Sequence, residues 1–450
     1  LKLVEKTRPD RVGKALRAMN AEEKQQILRD WHPDYKMDQK RKLKIGSSAG
    51  ELMPHEVADT LEAHPVIRPG DIDLSNVAYD VDVLVIGAGG AGLSASLTAI
   101  EHGVAPDMVL MIQKLRLGDA NSKMSQGGIQ AADDPDDNPT IHYLDVIGGG
   151  HYANKPDLVE AMVKEGPGVI KWHEELGVTY DKLEDGTMQL APGGGTSRKR
   201  MHSCKDYTGL EITRVLIDEF INKEISYVEF TSAVELVMDD KEQVAGAVLW
   251  DMDHDDYKVA RAKSTILATG GFGRLHIQGF ETTNHYGATN DGVVMAYHVG
   301  AKLRDLDSTQ FHPTGAAYPA QIVGQLCTEK LRARGAQPLN KDGELFVYPL
   351  ETRDVEASAL IRECYGREKG IVTPTGMRGV WLDTPLIDVI NGEGTIEREF
   401  AAMFRTFNKF GIDVCEKMLA DGGVETDRKA PTLLPEYRGK RTLEHQLKML

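Results

Sequence analysis

Residues 87–92, Gly-Ala-Gly-Gly-Ala-Gly, hold glycines where the phosphates of a dinucleotide would need them. Gly87 permits a tight turn, Gly89 and Gly90 let a pyrophosphate approach the backbone, and Gly92 allows close helix–strand packing. The helix N-terminus that follows would face the phosphates. Such a motif also occurs as a purely structural turn; its place after an apolar run and before a helical pattern favours dinucleotide binding. The next apolar run ends in Gln113-Lys114. The usual acidic partner of a ribose hydroxyl is therefore missing there, which counts against a simple NAD enzyme. Lys114 taken alone reads as a solvated surface charge. Residues 121–129, NSKMSQGGI, set Ser122 and the Gln126 amide around the paired glycines Gly127 and Gly128. That suits a flat ring lying against backbone, or any turn. Ala268, Thr269 and Gly270 close a second apolar run and offer another approach to the dinucleotide. His312, in QFHPTG, is placed on a turn, from which a side chain can project into a cleft or serve structure alone. Thr328-Glu329-Lys330-Leu331-Arg332 and Glu351-Thr352-Arg353-Asp354 put arginines beside hydroxyls and carboxylates. Arginine's planar fork suits a substrate carboxylate; the same residues also make surface salt bridges.

The elements that must carry these residues follow from pattern. YDVDVLVIGAGG is an apolar run ending in glycine, as in a buried parallel strand. LSASLTAIEHG reads as a helix closed by Gly103, and DMVLMIQK as a second buried strand. This β-α-β order predicts an α/β fold. Residues 83–100 carry no charge, but their glycines divide them into strand, turn and helix rather than a membrane span. Helical patterns dominate 151–225, and VEFTSAVELVMDD and QVAGAVLWDMD read as a small antiparallel addition. Residues 1–78 are polar, with a helix expected at AMNAEEKQQIL capped by Asn20 and Glu23, and turns at WHPDYK and RPGDID. They read as an accessory arm that packs on the domain surface or on a partner chain. The chain of 450 residues has 53 basic and 69 acidic side chains, a net charge of -16, which disfavours nucleic-acid and anionic-lipid binding. Cys204, Cys327, Cys364 and Cys415 are far apart, so neither a disulfide framework nor a metal site is expected, and a reducing, cytoplasmic setting is the simplest reading. No signal peptide is read at the start.

Taken together and in this order, GAGGAG, SQGGIQAA, KDYTGLEI, ILATGGFG, TNDGVVMAYHVGAKL, QFHPTG, LCTEKLRARGAQPLNKDGE and TRDVEASALIRE resemble the flavoprotein subunit of succinate dehydrogenase and fumarate reductase, in the L-aspartate oxidase superfamily. The resemblance runs from about Val81 to Asp383. It implies FAD in a Rossmann-like domain at 79–311, an inserted α+β capping domain at 312–430 that closes over a dicarboxylate, a partly helical N-terminal extension at 1–78, and the start of a return to the FAD domain at 431–450. By the same resemblance Arg353 is the proton donor, Glu329 and Arg332 are its relay, and His312 and Thr328 contact substrate carboxylate. Gly87, Gly89, Gly92, Gln126, Gly127, Gly128 and the acid Asp291 fall on flavin contacts.

Three departures shape the expectation. Asn121 occupies the place where respiratory members carry a flavin-linked histidine, so non-covalent FAD is expected, with a lower potential that favours fumarate reduction. The family's H-Y-x-x-G-G segment and its later arginine and N-S-L stretch are not found; residues 435–439, PEYRG, are a degenerate echo. The arm is not part of the usual core. The leading expectation is a dicarboxylate oxidoreductase interconverting fumarate and succinate and exchanging electrons with a separate iron–sulfur subunit, since no cysteine cluster here holds such a centre. Any membrane association would run through anchor subunits at the inner face. The alternatives are a soluble oxidase like L-aspartate oxidase and a flavin-binding electron-transfer subunit with an incomplete site.

Overall fold

The computed structural model describes residues 2–14, 16–65, 67–275, 280–412 and 419–420. Cys415, the capping segment past 420 and the return expected at 431–450 lie outside the described residues. In chain order the arm gives α1 (Lys2–Arg11), α2 (Ala21–Trp31), β1 (Lys40–Lys42), β2 (Leu52–Pro54) and α3 (His55–Glu62). The central region gives β3 (Val77–Ile86), α4 (Gly90–Glu101), β4 (Val109–Ile112), α5 (Asn121–Met124), β5 (Ile129–Gln130), α6 (Pro139–Gly149), α7 (Pro156–Leu176), β6 (Met201–His202), α8 (Thr208–Asn222), β7 (Ser226–Val228), β8 (Thr231–Met238), β9 (Val244–Asp251), β10 (Asp256–Leu267) and α9 (Asp291–His298). The remainder gives α10 (Lys330–Ala333), β11 (Gln337–Leu339), α11 (Arg353–Ile361), β12 (Ile371–Val372), β13 (Arg378–Gly379), β14 (Trp381–Asp383), α12 (Pro385–Asn391), α13 (Thr395–Glu399) and α14 (Ala401–Lys409).

Six strands form one sheet in the order β7-β4-β3-β10-β9-β8. β7, β4, β3 and β10 run parallel, while β9 and β8 join antiparallel. The expected antiparallel addition is thus an extension of the main sheet, because β10 serves both parts: Asp256 to Arg261 pair β9, and Val259 to Leu267 pair β3. The segment VEFTSAVELVMDD is also divided, with Val228 ending β7 and Thr231 opening β8. Alternate β3 side chains point to opposite faces, as a strand requires. Leu84 and Ile86 enter a cluster with Leu249 and Met295, and Val85 enters one with Leu93, Leu97, Leu216 and Phe220 beneath α4 and α8. β3 and β10 end in register at Ile86 and Leu267, which sets Gly87 beside Ala268. Residues 83–100 are the strand–turn–helix expected, and among the described residues no helix is long and apolar enough to cross a membrane.

A second core, of Leu331, Ala336, Leu382, Ile387, Phe400 and Phe407, organises the region after 312. Lys330 is buried and reaches back to Ser203 Oγ and the Lys205 carbonyl, both at 3.0 Å.

The arm packs on both regions. Asn20 and Glu23 form the expected reciprocal cap of α2. Ile27 and Leu28 of α2 are buried against Val355, Ala359 and Leu360 of α11. Two such aliphatic side chains contribute about 3–6 kcal/mol of burial together. Arg8 and Arg11 pair with the fully buried Asp383 at 2.9 and 2.7 Å. Further on, Leu43, Met53, Val57 and Leu61 pack against Tyr297 of α9. WHPDYK and RPGDID are short 3-10 turns, at Pro33–Tyr35 and Pro69–Asp71.

Candidate active site

The ends of β3, β4 and β10 open onto a cavity of about 560 Å³. Gly87, Gly89, Gly90, Lys114, Ser122, Ala268, Thr269, Gly270 and Asp291, all expected at a cofactor, line it. Gly87 has φ +109°, and a Cβ there would lie 2.4 Å from the Ala268 carbonyl oxygen. Only glycine takes that conformation and that approach without strain. Gly92 does not line the cavity; a Cβ on it would lie 1.8 Å from the Gly87 oxygen, so its role is the packing of α4 against the turn. Ser122 Oγ accepts the Gly90 amide at 3.0 Å.

Lys114 is not the free surface charge that its sequence context suggests. Its ammonium reaches Thr289 Oγ1 at 2.6 Å and forms an ion pair with Asp291. The pair brings an acid to the end of β4, where the local sequence lacked one. That acid comes from the first residue of α9, which only the fold brings to this edge.

Gln126, Gly127 and Gly128 line neither this cavity nor its neighbour, and the two glycines are half-buried against Met201, His202 and Thr328. Gly128 has φ +150°, with the His202 carbonyl oxygen 2.4 Å from where its Cβ would be. A Cβ on Gly127 would lie 3.5 Å from Thr328 Oγ1. Gln126 Oε1 is buried and accepts no hydrogen bond within the protein. A buried amide oxygen in that state fits a site that receives a polar ligand. The glycine cradle and this orphaned amide both suit FAD: the first would hold its pyrophosphate and the second would face its ring. A second cavity of about 440 Å³ adjoins the first and is lined by Asn121, Ser125, Gln310, His312, Leu326 and Arg353 among others. Asn121 lines both cavities. Its Oδ1 accepts the His285 amide at 2.6 Å and its Nδ2 donates to Asn284 Oδ1 at 3.1 Å.

The charged residues of this cleft form one chain. Arg353 donates from Nε to Glu329 Oε2 at 2.7 Å. Glu329 Oε1 accepts the Gly194 amide at 2.8 Å. Arg332 Nη2 lies 3.7 Å from Glu329 Oε2, and its Nη1 pairs with the fully buried Glu356. Burial alone would raise the Glu329 carboxyl; the Arg353 and Arg332 guanidiniums outweigh it and bring it down to about 2. Burial, then the same two guanidiniums, pushes His312 down to about 3, so its ring is neutral near pH 7. His312 Nδ1 accepts the Thr314 amide at 3.2 Å. Assigned from that bond, the proton resides on Nε2, which is then a donor.

The fold therefore brings Arg353, Glu329, Arg332 and His312 together and sets Thr328 beside the Gly127 backbone. Sequence reading assigned no role to three neighbours: Gly194, Glu356 and Gln310, whose Oε1 is 3.4 Å from Arg353 Nη1. Gly194 is the middle of three successive glycines, 193–195, in the loop between α7 and β6. Glu356 lies one helical turn along from Arg353, the one local hint of its role.

The family model described as "FAD binding domain" matches residues 82–441. The chain is 34% identical over 348 residues to a fumarate reductase (CoM/CoB) subunit of Methanothermobacter marburgensis, covering 75% of this chain and 60% of that protein. It is 30% identical over 378 residues to L-aspartate oxidase of Streptomyces coelicolor, covering 80% and 62%. Among solved structures, E. coli quinol fumarate reductase FrdA aligns with a TM-score of 0.68 at 25% identity, covering 76% of this chain and 59% of that one. The open conformation of a flavocytochrome c3 fumarate reductase aligns with a TM-score of 0.57 at 28% identity, covering 76% and 57%. The chain spans about 60% of the length of the curated relatives it matches. With a groove built to take FAD and a family match over most of its length, the chain belongs to the FAD binding domain family, among relatives that are fumarate reductases, succinate dehydrogenase flavoprotein subunits and L-aspartate oxidase.

Proposed function

We propose that this chain is the flavin-bearing part of an oxidoreductase that interconverts fumarate and succinate, or a closely similar dicarboxylate. The observation that carries the reading is the Arg353–Glu329–Arg332 chain, facing His312 across a cleft that adjoins the flavin groove. FAD, when bound, supplies hydride chemistry at the alkene. The rest falls to side chains of this chain. The neutral His312 donates from Nε2 to one substrate carboxylate, and Thr328 offers a hydroxyl beside it, so the alkene is pinned and polarised. Arg353 gives a proton to the carbon that does not receive hydride. Arginine is a weak acid near pH 7, with an ordinary pKa above 12. In a closed site, transfer is workable because the ionised Glu329 beside it can take a proton from Arg332 and pass it on to Arg353. Two electrons and two protons are then accounted for: a hydride from reduced flavin and one proton from Arg353.

The partner that supplies the electrons is a separate iron–sulfur protein in this reading, with any membrane contact made by anchor subunits on the cytoplasmic side. Fumarate reduction is favoured because Asn121 offers a carboxamide, which is no nucleophile, where a flavin-linked histidine would raise the potential. The test is anaerobic. The FAD-loaded chain is reduced with dithionite, freed of excess and mixed with fumarate. Return of the oxidised flavin spectrum supports the reading; a spectrum that stays reduced with fumarate and related dicarboxylates overturns it.

A further inference from the structure

The turn that delivers Arg353 is tethered on three sides. Arg332 Nη1 donates to the Pro349 carbonyl at 2.7 Å. The Gly195 amide donates to the Leu350 carbonyl at 3.0 Å. The third tether comes from the N-terminal arm. Lys24 Nζ, on α2, lies 2.9 Å from Glu351 Oε2, and the Met19 amide donates to Glu351 Oε1. Glu351 is 1% exposed, and among the described residues Lys24 is its one ion-pair partner. A carboxylate so deeply buried is tolerated when it is paired and costly when it is not.

The surroundings make this tether stiff. α2 lies directly on α11, whose first residue is Arg353. The fit is close at the far end as well: a Cβ on Gly366 would lie 2.2 Å from Cη2 of Trp31, the last residue of α2. Arg353 reaches Glu329 through a single 2.7 Å bond from Nε. A shift of about 1 Å in the turn is enough to take that bond out of range.

We propose that Lys24 and Glu351 are a positioning pair: through this buried ion pair the arm fixes the turn before α11, and with it the reach of Arg353 to Glu329. The proposal rests on Arg353 as the proton donor of the reading above. It gives the arm a task in the site, although none of its described residues lines the flavin groove or the adjoining cleft.

The test compares the FAD-loaded full chain with Lys24→Met and with the double variant Lys24→Met/Glu351→Gln. Lys24→Met keeps the length of the side chain and strands the buried carboxylate. Glu351→Gln removes that charge while keeping an oxygen for the Met19 amide. Two readouts are taken: amide hydrogen exchange across 346–361 by mass spectrometry, and steady-state fumarate reduction. In Lys24→Met, exchange across 346–361 quickens about tenfold or more while that of 121–130 is unchanged. The kcat falls about ten- to hundredfold and KM moves less than about threefold, because Arg353 acts in the transition state. The double variant strands no charge but still lacks the pair, so its kcat recovers to within severalfold of wild type. Wild-type exchange across 346–361 in Lys24→Met overturns the proposal, as does a double variant as slow as the single. Should Lys24→Met fail to fold, Glu351→Gln alone decides: faster exchange over 346–361 with a severalfold loss of kcat supports the pair, and no change in either overturns it. If the wild-type chain does not turn over fumarate, the dicarboxylate reading fails, and the exchange measurement still decides whether the arm holds this turn.

Discussion

Arg353 and Glu329 meet through a single guanidinium nitrogen: Nε donates to Oε2 at 2.7 Å, while the other carboxylate oxygen takes the Gly194 amide. One edge of the guanidinium is thereby committed to Glu329, and Nη1 donates to Gln310 Oε1 at 3.4 Å. The arginine side chain is 40% exposed and the glutamate 6%, so the arginine faces the cleft and the glutamate lies behind it.

Replacing the donor tests this division. Arg353→Lys keeps a positive charge but loses the planar fork and the Nε contact. Flavin content is expected to stay at the wild-type level, with fumarate turnover reduced about a thousandfold or more, in line with loss of a positioned proton donor. Near-normal turnover in this variant would exclude the assignment.

The low carboxyl of Glu329 has a consequence for stability with a defined sign. Its value in the folded protein, about 2, is below its ordinary 4.5. The stabilisation is therefore fully present above about pH 4.5 and is lost as pH falls towards 2. It amounts to on the order of 3 kcal/mol. Urea unfolding of wild type and Glu329→Gln is expected to show a clear gap at pH 6.5 that narrows at pH 3. A gap that widens on acidification contradicts the sign.

Gly87 offers a test of the cofactor groove that does not depend on any substrate. Gly87→Ala forces a side chain into a backbone with φ +109° and towards the Ala268 carbonyl. The strain is about 1–3 kcal/mol before any clash is relieved. The purified variant is expected to lack flavin absorption at 450 nm, and its Tm to fall by several degrees. Full flavin content would show that the turn does not carry the pyrophosphate.

Asn121 predicts how the flavin is held. Its carboxamide is engaged by the His285 amide and by Asn284, and an amide nitrogen does not alkylate. Acid precipitation of the yellow protein is expected to release all FAD to the supernatant. Flavin that stays with the pellet would reveal a covalent link elsewhere in the chain.

The β3–α4 unit is legible in the sequence because its constraints are local: an apolar run, a glycine forced by positive φ, and a second glycine forced by contact. The cap of α2 is legible for the same reason, since Asn20 and Glu23 are three residues apart. What escapes is pairing across the chain. Met19 and Glu351 are 332 residues apart, and Gly194 and Glu329 are 135 apart. Neither leaves a periodicity or a motif. Lys114 shows the limit most clearly: beside Gln113 it reads as a stray charge, and only the arrival of α9 at the sheet edge gives it Asp291. The motifs around His312 and Arg353 each read two ways in the sequence, as site or as structure; which backbone amide and which second carboxylate stand beside them depends on the tertiary fold.

The bonds between the arm and Asp383 bear on the order of folding. Arg11 and Asp383 are separated by 372 residues, so the arm must wait for nearly everything between them to be made and arranged. Closing so long a loop costs more entropy than a local contact and slows the step that depends on it. During synthesis α2 can form early on the strength of its own cap, yet the surface that receives it is translated hundreds of residues later. Docking of the arm is then a late event, and the nascent protein passes through an interval in which Ile27, Leu28 and their partners on α11 are exposed to solvent and to chaperones.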